Sequence, residues 1–330
     1  MNIQPLVSIC IPTYNSEKFL KEMLDSIVAQ TYKNIEVIVS DNASVDGTSQ
    51  IAREYCNKYQ WNFFQNKINI GAGANFNKLI ELANGEYIAI YHADDVYMPT
   101  IVEDSIKAFK QNGEIGIVGT MGVEIDSSGI EYKSISLPKS LTSKNEYSFD
   151  DIFTSILNQE GLFLVTPSIM VRASIYQELG SFRLNERYKS AADYEMWFRI
   201  MQKNKIALID KQLIRYRRHE NQGSQHEIYD NVKKPDSLNV YLDYAKNNYS
   251  KYGDLYEYSF YRLMRVLAVK LNNSKEFSKS NQVICEIIEL NQNFNRKLLW
   301  LLLMNKFRLR VKLNSFIVIK KILKKIGIVK

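Results

Sequence analysis

The first hundred residues alternate short apolar runs with helical periodicities. Residues 7–11 form an apolar run closed by Pro12-Thr13-Tyr14-Asn15-Ser16, which predicts a buried strand. Phe19, Leu20, Met23, Leu24, Ile27 and Val28 recur at helical spacing, so 17–30 is expected to be helical. A second strand is expected at 35–40, ended by Asp41-Asn42-Ala43-Ser44. Asp46-Gly47-Thr48 then opens a helix to about residue 59, with Asp46 or Thr48 as its cap. Phe63-Phe64 suggests a short strand, 69–73 a loop, and 74–83 a helix ended by Asn84-Gly85. Residues 87–91 predict the next strand, which runs into His92-Ala93-Asp94-Asp95. This alternation predicts a largely parallel sheet covered on both faces. Such sheets bind ligands beyond the carboxyl ends of their strands. The sets Thr13/Tyr14/Asn15, Asp41/Asn42 and Asp94/Asp95 should therefore meet in one crevice.

The pattern loosens afterwards. A helix is expected at 99–111, a strand at 115–119, and a polar Ser/Lys-rich loop at 137–148. Residues 165–171 are apolar but contain Pro167, which predicts an edge or irregular strand. A helix follows at 192–203 and a strand at 206–209. Beyond about residue 224 the sequence turns to helical patterns dense in Tyr, Asn and Lys, and a domain boundary is placed there.

Composition changes this picture at one point only. The net charge of +7 is uneven: eleven of the 43 Lys/Arg and none of the 36 Asp/Glu lie in 296–330. The other 295 residues carry 32 bases against 36 acids, so they offer no nucleic-acid platform. Within the basic tail, Ile319, Ile322, Leu323, Ile326 and Val329 fall on one side of a helix and Lys320, Lys321, Lys324 and Lys325 on the other. Two readings stand: a helix lying on an anionic membrane surface, or one packing its apolar side on its own domain. Cys10, Cys56 and Cys285 have neither metal nor disulfide spacing, which suits a reducing compartment, and Cys10 sits in an apolar run as a core thiol. The N-terminus has no signal-peptide layout, and the longest strongly apolar run, 298–304, is far short of the ~20 residues that span a bilayer. A cytoplasmic protein, peripheral on the inner face of the cell membrane, is expected.

Adjacent carboxylates at a strand end, Asp94-Asp95, either hold a divalent cation or serve as turn and cap acids before Pro99. Asp193 likewise reads by itself as a helix cap. Six segments taken in order narrow the choice. Val7-Ser8-Ile9-Cys10-Ile11-Pro12-Thr13-Tyr14-Asn15, Val39 to Thr48, Asn69-Ile70-Gly71 to Asn77, Ala83 to Ile88, Ala192-Asp193-Tyr194-Glu195-Met196-Trp197-Phe198-Arg199 and Tyr216-Arg217-Arg218-His219 resemble the family 2 glycosyltransferases. The resemblance covers roughly residues 5–222. It implies an α/β fold of GT-A type, a mostly parallel sheet flanked by helices, with a C-terminal helical region. It also implies a catalytic domain over 1–224, its donor half at about 1–98 and its acceptor half at about 99–224, followed by a helical region over 225–330.

The resemblance further implies inverting transfer of a sugar from a UDP- or dTDP-sugar to a hydroxyl of a growing surface glycan, carried on lipid. Asp41 would accept the imide N–H of the base. Pro12, Thr13, Tyr14 and Asn15 would flank base and ribose, and Asn42, Gly71 and Asn77 would line the donor site. The family usually has Asp-x-Asp where this chain has His92-Ala93-Asp94. Asp94 keeps the metal-ligand role with His219, for Mn2+ or Mg2+. His92, Ala93, Asp95 and Arg217 would attend the donor. The usual Glu-Asp is here Ala192-Asp193, and Asp193 would be the general base. Trp197 and Arg199 are expected to pack and to form a salt bridge. A sugar nucleotidyltransferase would want a Gly-rich loop with a basic residue after the first strand, which Pro12-Thr13-Tyr14-Asn15 lacks. An inactive glycan-binding protein would have lost Asp94 or Asp193.

Overall fold

The computed structural model describes residues 4–142, 144–158, 163–220, 222, 233–290 and 301–305. The chain divides into two compact units, Met1–Gln225 and His226–Lys330. The first unit opens with β1 (Val7–Thr13), α1 (Glu17–Val28), β2 (Ile35–Asp41), α2 (Thr48–Tyr59), β3 (Asn62–Gln65), α3 (Ala72–Leu82) and β4 (Tyr87–Ile90). It continues with β5 (Val96–Tyr97), α4 (Ile101–Phe109), β6 (Ile115–Ile125), β7 (Glu131–Ile135), β8 (Glu146–Tyr147) and α5 (Phe149–Leu157). It closes with β9 (Met170–Arg172), α6 (Ala173–Leu179), α7 (Ala192–Met201) and β10 (Lys205–Arg217).

One sheet runs in the order β3-β2-β1-β4-β9-β6-β10-β5, with β7 on β6 and β8 on β10. From β3 to β4 every pairing is parallel, as the βα rhythm requires. Burial on both faces explains the unbroken apolar run of β1. Ile9 and Ile11 share a core with Leu20, Met23, Leu24 and Ile27 of α1. Cys10 points the other way, its thiol toward the Leu79 carbonyl of α3 at 3.6 Å. Burial pushes that thiol well above its ordinary range, so it stays protonated and inert.

The second half of the sheet departs from expectation in four places. Residues 165–171 are not an edge strand. Pro167 sits in a 3-10 turn, Thr166–Ser168, and only Met170–Arg172 is extended. That short strand lies inside the sheet, antiparallel to both β4 and β6. The proline is tolerated because it lies outside the ladder. The strand expected at 206–209 runs on to Arg217, because a register shift between Ile209 and Gln212 absorbs the polar residues that break the apolar pattern. The strand expected at 115–119 extends to Ile125 and is buried throughout. Gly122 permits this close pairing: a Cβ there would lie 2.4 Å from the carbonyl oxygen of Ile214 on β10. The polar stretch 137–148 also carries structure, a 3-10 turn at Lys139–Leu141 and the strand β8.

The second unit contains α8 (Ser237–Lys246), α9 (Tyr249–Asn273) and α10 (Phe277–Leu290). A buried polar chain ties it to residue 305. Asn272 Nδ2 donates to Asn305 Oδ1 at 2.8 Å, and Asn305 Nδ2 donates to Ser280 Oγ at 2.9 Å. Such groups are stable in a core only when bonded in this way. The expected amphipathic helix at 319–329 lies outside the described residues. No helix among the described residues is long and apolar enough to cross a membrane.

Candidate active site at the strand ends

β1 and β2 finish in register, Thr13 beside Asp41, and Thr13 Oγ1 donates to Asp41 Oδ1 at 3.2 Å. Asp41 is fully buried and stays there because it is well supplied with donors. Besides Thr13 these are Ser44 through both N and Oγ, Ser49 Oγ and Gln65 Nε2. Beyond the strands, Asn15 and Ala43 adopt positive φ angles of 46° and 63°, conformations that store strain at functional loops. The two loops are stitched together: Asn15 N donates to Ser44 Oγ at 2.9 Å, and Val45 N to Asn15 Oδ1 at 3.0 Å.

The helix starts behind these loops are exchanged as well. Asp46 accepts from Glu17 N at 3.2 Å while Glu17 accepts from Gly47 N at 2.8 Å. Asp46 also takes Thr48 N at 3.1 Å, serving α2 from one residue ahead of its N-cap, Gly47. Pro12 is partly buried, whereas Tyr14 is 48% exposed and presents its ring at the rim.

Asn42 holds the next loop, accepting from Ile70 N and Asn66 Nδ2 and donating to Asn69 Oδ1. Gly71 ends that loop at φ +85° and caps α3, a backbone that L side chains adopt only under strain. Asn77 is turned elsewhere. Its side chain exchanges two 2.9 Å bonds with the backbone of Phe182, and so clasps α3 to the loop before α7.

Past β4 the chain makes a tight turn. The N–H of His92 donates to Tyr97 Oη at 2.7 Å, and Ala93 is buried. Asp94 Oδ2 meets His219 Nε2 at 3.0 Å, so the structure brings together the two expected metal ligands, 125 residues apart. Asp95 is fully buried. One of its oxygens accepts from Arg217 N at 2.8 Å, and the other, Oδ2, has no partner among the described residues. Burial, reinforced by the charge of Asp94, pushes the Asp95 carboxyl well above its usual range. The His92 ring stacks on Phe76 at 5.7 Å, and its Nε2 also lacks a partner among the described residues. Burial pulls this imidazole down, and the charges of Asp94 and Asp193 oppose the shift.

His92, Asp94 and Asp95 offer ligand atoms within 4.8 Å of one another, and His219 lies on Asp94. Carboxylate oxygens with imidazole nitrogen suit Mn2+ or Mg2+, and the unpartnered Asp95 oxygen leaves acceptor capacity to spare. Arg217 does not face the crevice. Its guanidinium is spent on the Asp94 carbonyl at 2.8 Å, the Asp126 carbonyl at 3.2 Å and Glu22. Arg218 pairs with Glu124 at 2.8 Å. Of the three basic residues, His219 is the one bonded to the Asp94 carboxylate, its ring against Phe19 at 4.8 Å.

Asp193 stands in the first turn of α7, whose N-cap is Ala191. It accepts from Thr166 Oγ1 at 2.7 Å and from Tyr194 N at 2.8 Å. Burial raises its carboxyl above the ordinary value, and these two bonds and His92 oppose the rise. Trp197 and Arg199 do as expected: Trp197 packs on Phe182, and Arg199 pairs with Glu195. Thr166 escaped the sequence reading, since a threonine beside a proline in an apolar run carries no chemical signal. It lines a cavity of about 10 Å3, room for roughly one water, together with His92, Phe76, Phe182 and Trp197.

Residues 8–180 match the family model described as glycosyl transferase family 2. An uncharacterized glycosyltransferase of Methanocaldococcus jannaschii is 33% identical over 218 residues, covering 65% of this chain and 71% of that protein. Among solved structures, S. aureus TarS 1–349 in complex with UDP-GlcNAc matches with a TM-score of 0.56 at 22% identity, over 94% of this chain and 77% of that chain. The mannosyltransferase PcManGT from Pyrobaculum calidifontis, in complex with GDP-Man and Mn2+, matches with a TM-score of 0.57 at 16% identity, over 92% and 80%. At these identities the two structures share the fold.

Proposed function

This chain belongs to glycosyl transferase family 2 and is a glycosyltransferase, and we propose that it moves a sugar from a UDP- or dTDP-sugar to a hydroxyl, inverting the anomeric centre. The observation that carries the proposal is the meeting of Asp94 Oδ2 with His219 Nε2 at 3.0 Å, beside His92 and Asp95, at the strand ends. Asp193 stands at the start of α7, bonded to Thr166, which lines one cavity with His92.

Asp41, on giving up one of its present hydroxyl donors, receives the imide N–H of uracil or thymine, and the exposed ring of Tyr14 stacks on the base. Pro12, Thr13, Asn15, Asn42 and Gly71 shape the base and ribose site around them. A Mn2+ or Mg2+ ion held by Asp94 and His219, beside Asp95 and His92, would neutralise the diphosphate leaving group. Asp193 takes the proton of the acceptor hydroxyl as that oxygen bonds the anomeric carbon and the bond to the diphosphate breaks. A single displacement from the opposite face inverts the centre. A carboxyl raised above its ordinary value is a stronger base than a surface aspartate. The PcManGT complex holds Mn2+, and the TarS complex holds a uridine-diphosphate sugar, which supports a metal-assisted nucleotide-sugar site. A lipid-linked surface glycan as acceptor rests on the basic tail, which supports a membrane-surface location.

Calorimetric titration of UDP, dTDP and GDP with and without Mn2+ tests the donor. Tighter binding of UDP or dTDP in the presence of Mn2+ is expected. Selection of GDP, or affinities indifferent to the ion, would overturn the assignment.

A further inference from the structure

We infer that Thr166 is a positioning residue for Asp193, its hydroxyl fixing the orientation of the carboxylate that accepts the proton. The inference rests on the reading of Asp193 as the base. It begins from a directed chain of hydrogen bonds. Trp197 lies one helical turn beyond Asp193 on α7, so both face the same way. Its indole N–H, which can only donate, points at Thr166 Oγ1 at 3.4 Å. Thr166 has one hydroxyl proton. With its oxygen already accepting from Trp197, that proton goes to Asp193 Oδ2 at 2.7 Å.

Both ends of the chain are held. Trp197 is 3% exposed and meets the Phe182 ring edge-on at 5.6 Å. The turn that carries Thr166 is bolted to β6, where Ser168 Oγ donates to the Thr120 carbonyl and accepts from Thr120 N, each at 3.1 Å. Among the described residues Asp193 Oδ1 takes only the adjacent Tyr194 N, so it is the oxygen with lone-pair capacity left for an acceptor hydroxyl. Without the threonine proton, the carboxylate gains a rotation that mixes its two oxygens. Reactivity depends on near-attack geometry, and such freedom lowers turnover without touching the donor.

Thr166→Val keeps the volume and removes the hydroxyl; Thr166→Ser restores it. Two measurements are made on each, on wild type, on Asp193→Asn and on the Thr166→Val/Asp193→Asn double variant. One is UDP affinity and the rate of UDP release from UDP-N-acetylglucosamine or UDP-glucose with Mn2+. The other is the titration of the Asp193 carboxyl in protein carrying 13C-labelled aspartate, the resonance being the one lost in Asp193→Asn. Thr166→Val is expected to slow release roughly tenfold or more, the range for losing an orienting partner, with UDP affinity unchanged. It is also expected to move the Asp193 midpoint upward, since the donated bond favours the ionised form. Serine should return both. In the Asp193→Asn background the valine should have no further effect. A wild-type rate and midpoint in Thr166→Val would overturn the inference. If Thr166→Val fails to fold, Thr166→Ala against Thr166→Ser makes the same comparison. Should Asp193→Asn keep full turnover, the base assignment fails by itself, and the carboxyl titration still decides whether Thr166 orients Asp193.

Discussion

Among the described residues the Asp94 carboxylate has one hydrogen-bond partner, His219, whereas the neighbouring Arg217 has all three guanidinium nitrogens engaged. The difference separates a group with coordination to spare from one that shapes the turn around it. Asp94→Ala should therefore abolish the Mn2+-dependent gain in UDP or dTDP affinity and leave the melting temperature nearly unchanged, as calorimetry and thermal unfolding would register. Asp193→Asn should bind donor normally and transfer sugar at least ~10²-fold more slowly, the low end for losing a general base. Asparagine can still accept from Thr166, so loss of stability without loss of rate would identify a structural acid instead. The pH profile follows from the same residue. The Asp193 carboxyl is raised and must be ionised to act, so kcat/KM should fall as the solution is acidified, and the fall should begin above the ordinary aspartate range. A limb centred at or below that range would contradict it. The positions of Asp41 and Asp94 at strand ends and of Asp193 at a helix start were legible because each sits in a short motif. The burial of Arg217 was not, since its acceptors Glu22 and Asp126 lie 195 and 91 residues away in sequence.

Elements differed in legibility for a related reason. β1 to β4 pair parallel through βα connections, and each strand is a compact apolar run, so period and order sufficed. β9 has three residues and owes its place to partners on β4 and β6. β10 carries a bulge where polar residues face solvent, and its full length is fixed only by the ladder with β6. That ladder is also the tightest joint of the sheet. Gly122→Val would drive a side chain against the Ile214 backbone and should destabilise the unit by about 1–3 kcal/mol, the usual cost of overpacking. Denaturant unfolding would register the loss, and an unchanged midpoint would show that β6 and β10 can part at that point.

At the scale of the molecule, charge and packing divide the C-terminal region differently. Nine of the eleven tail bases follow residue 305, whereas Leu301 and Asn305 are buried within the second unit. A chain ended after Asn305 should therefore keep its fold and its nucleotide affinity yet lose binding to vesicles containing anionic lipid. Co-sedimentation at low and high salt checks this, the attraction fading as the screening length falls from ~10 Å at 0.1 M to ~3 Å at 1 M. Equal sedimentation of the full and shortened chains would sink the membrane role. The first unit has a different kind of indivisibility. β4 is flanked by β9, and among the described residues β5 is paired only to β10, so strands of the first hundred residues are completed by residues more than 70 positions downstream. A fragment cut near residue 98 would bare the β4 edge and leave β5 without a partner, an invitation to aggregate. Donor preference in this enzyme is thus not a transplantable cassette. An engineer seeking a new sugar nucleotide must graft loops into an intact 1–225 unit, and chimeras joined inside it should fail before their chemistry can be assayed.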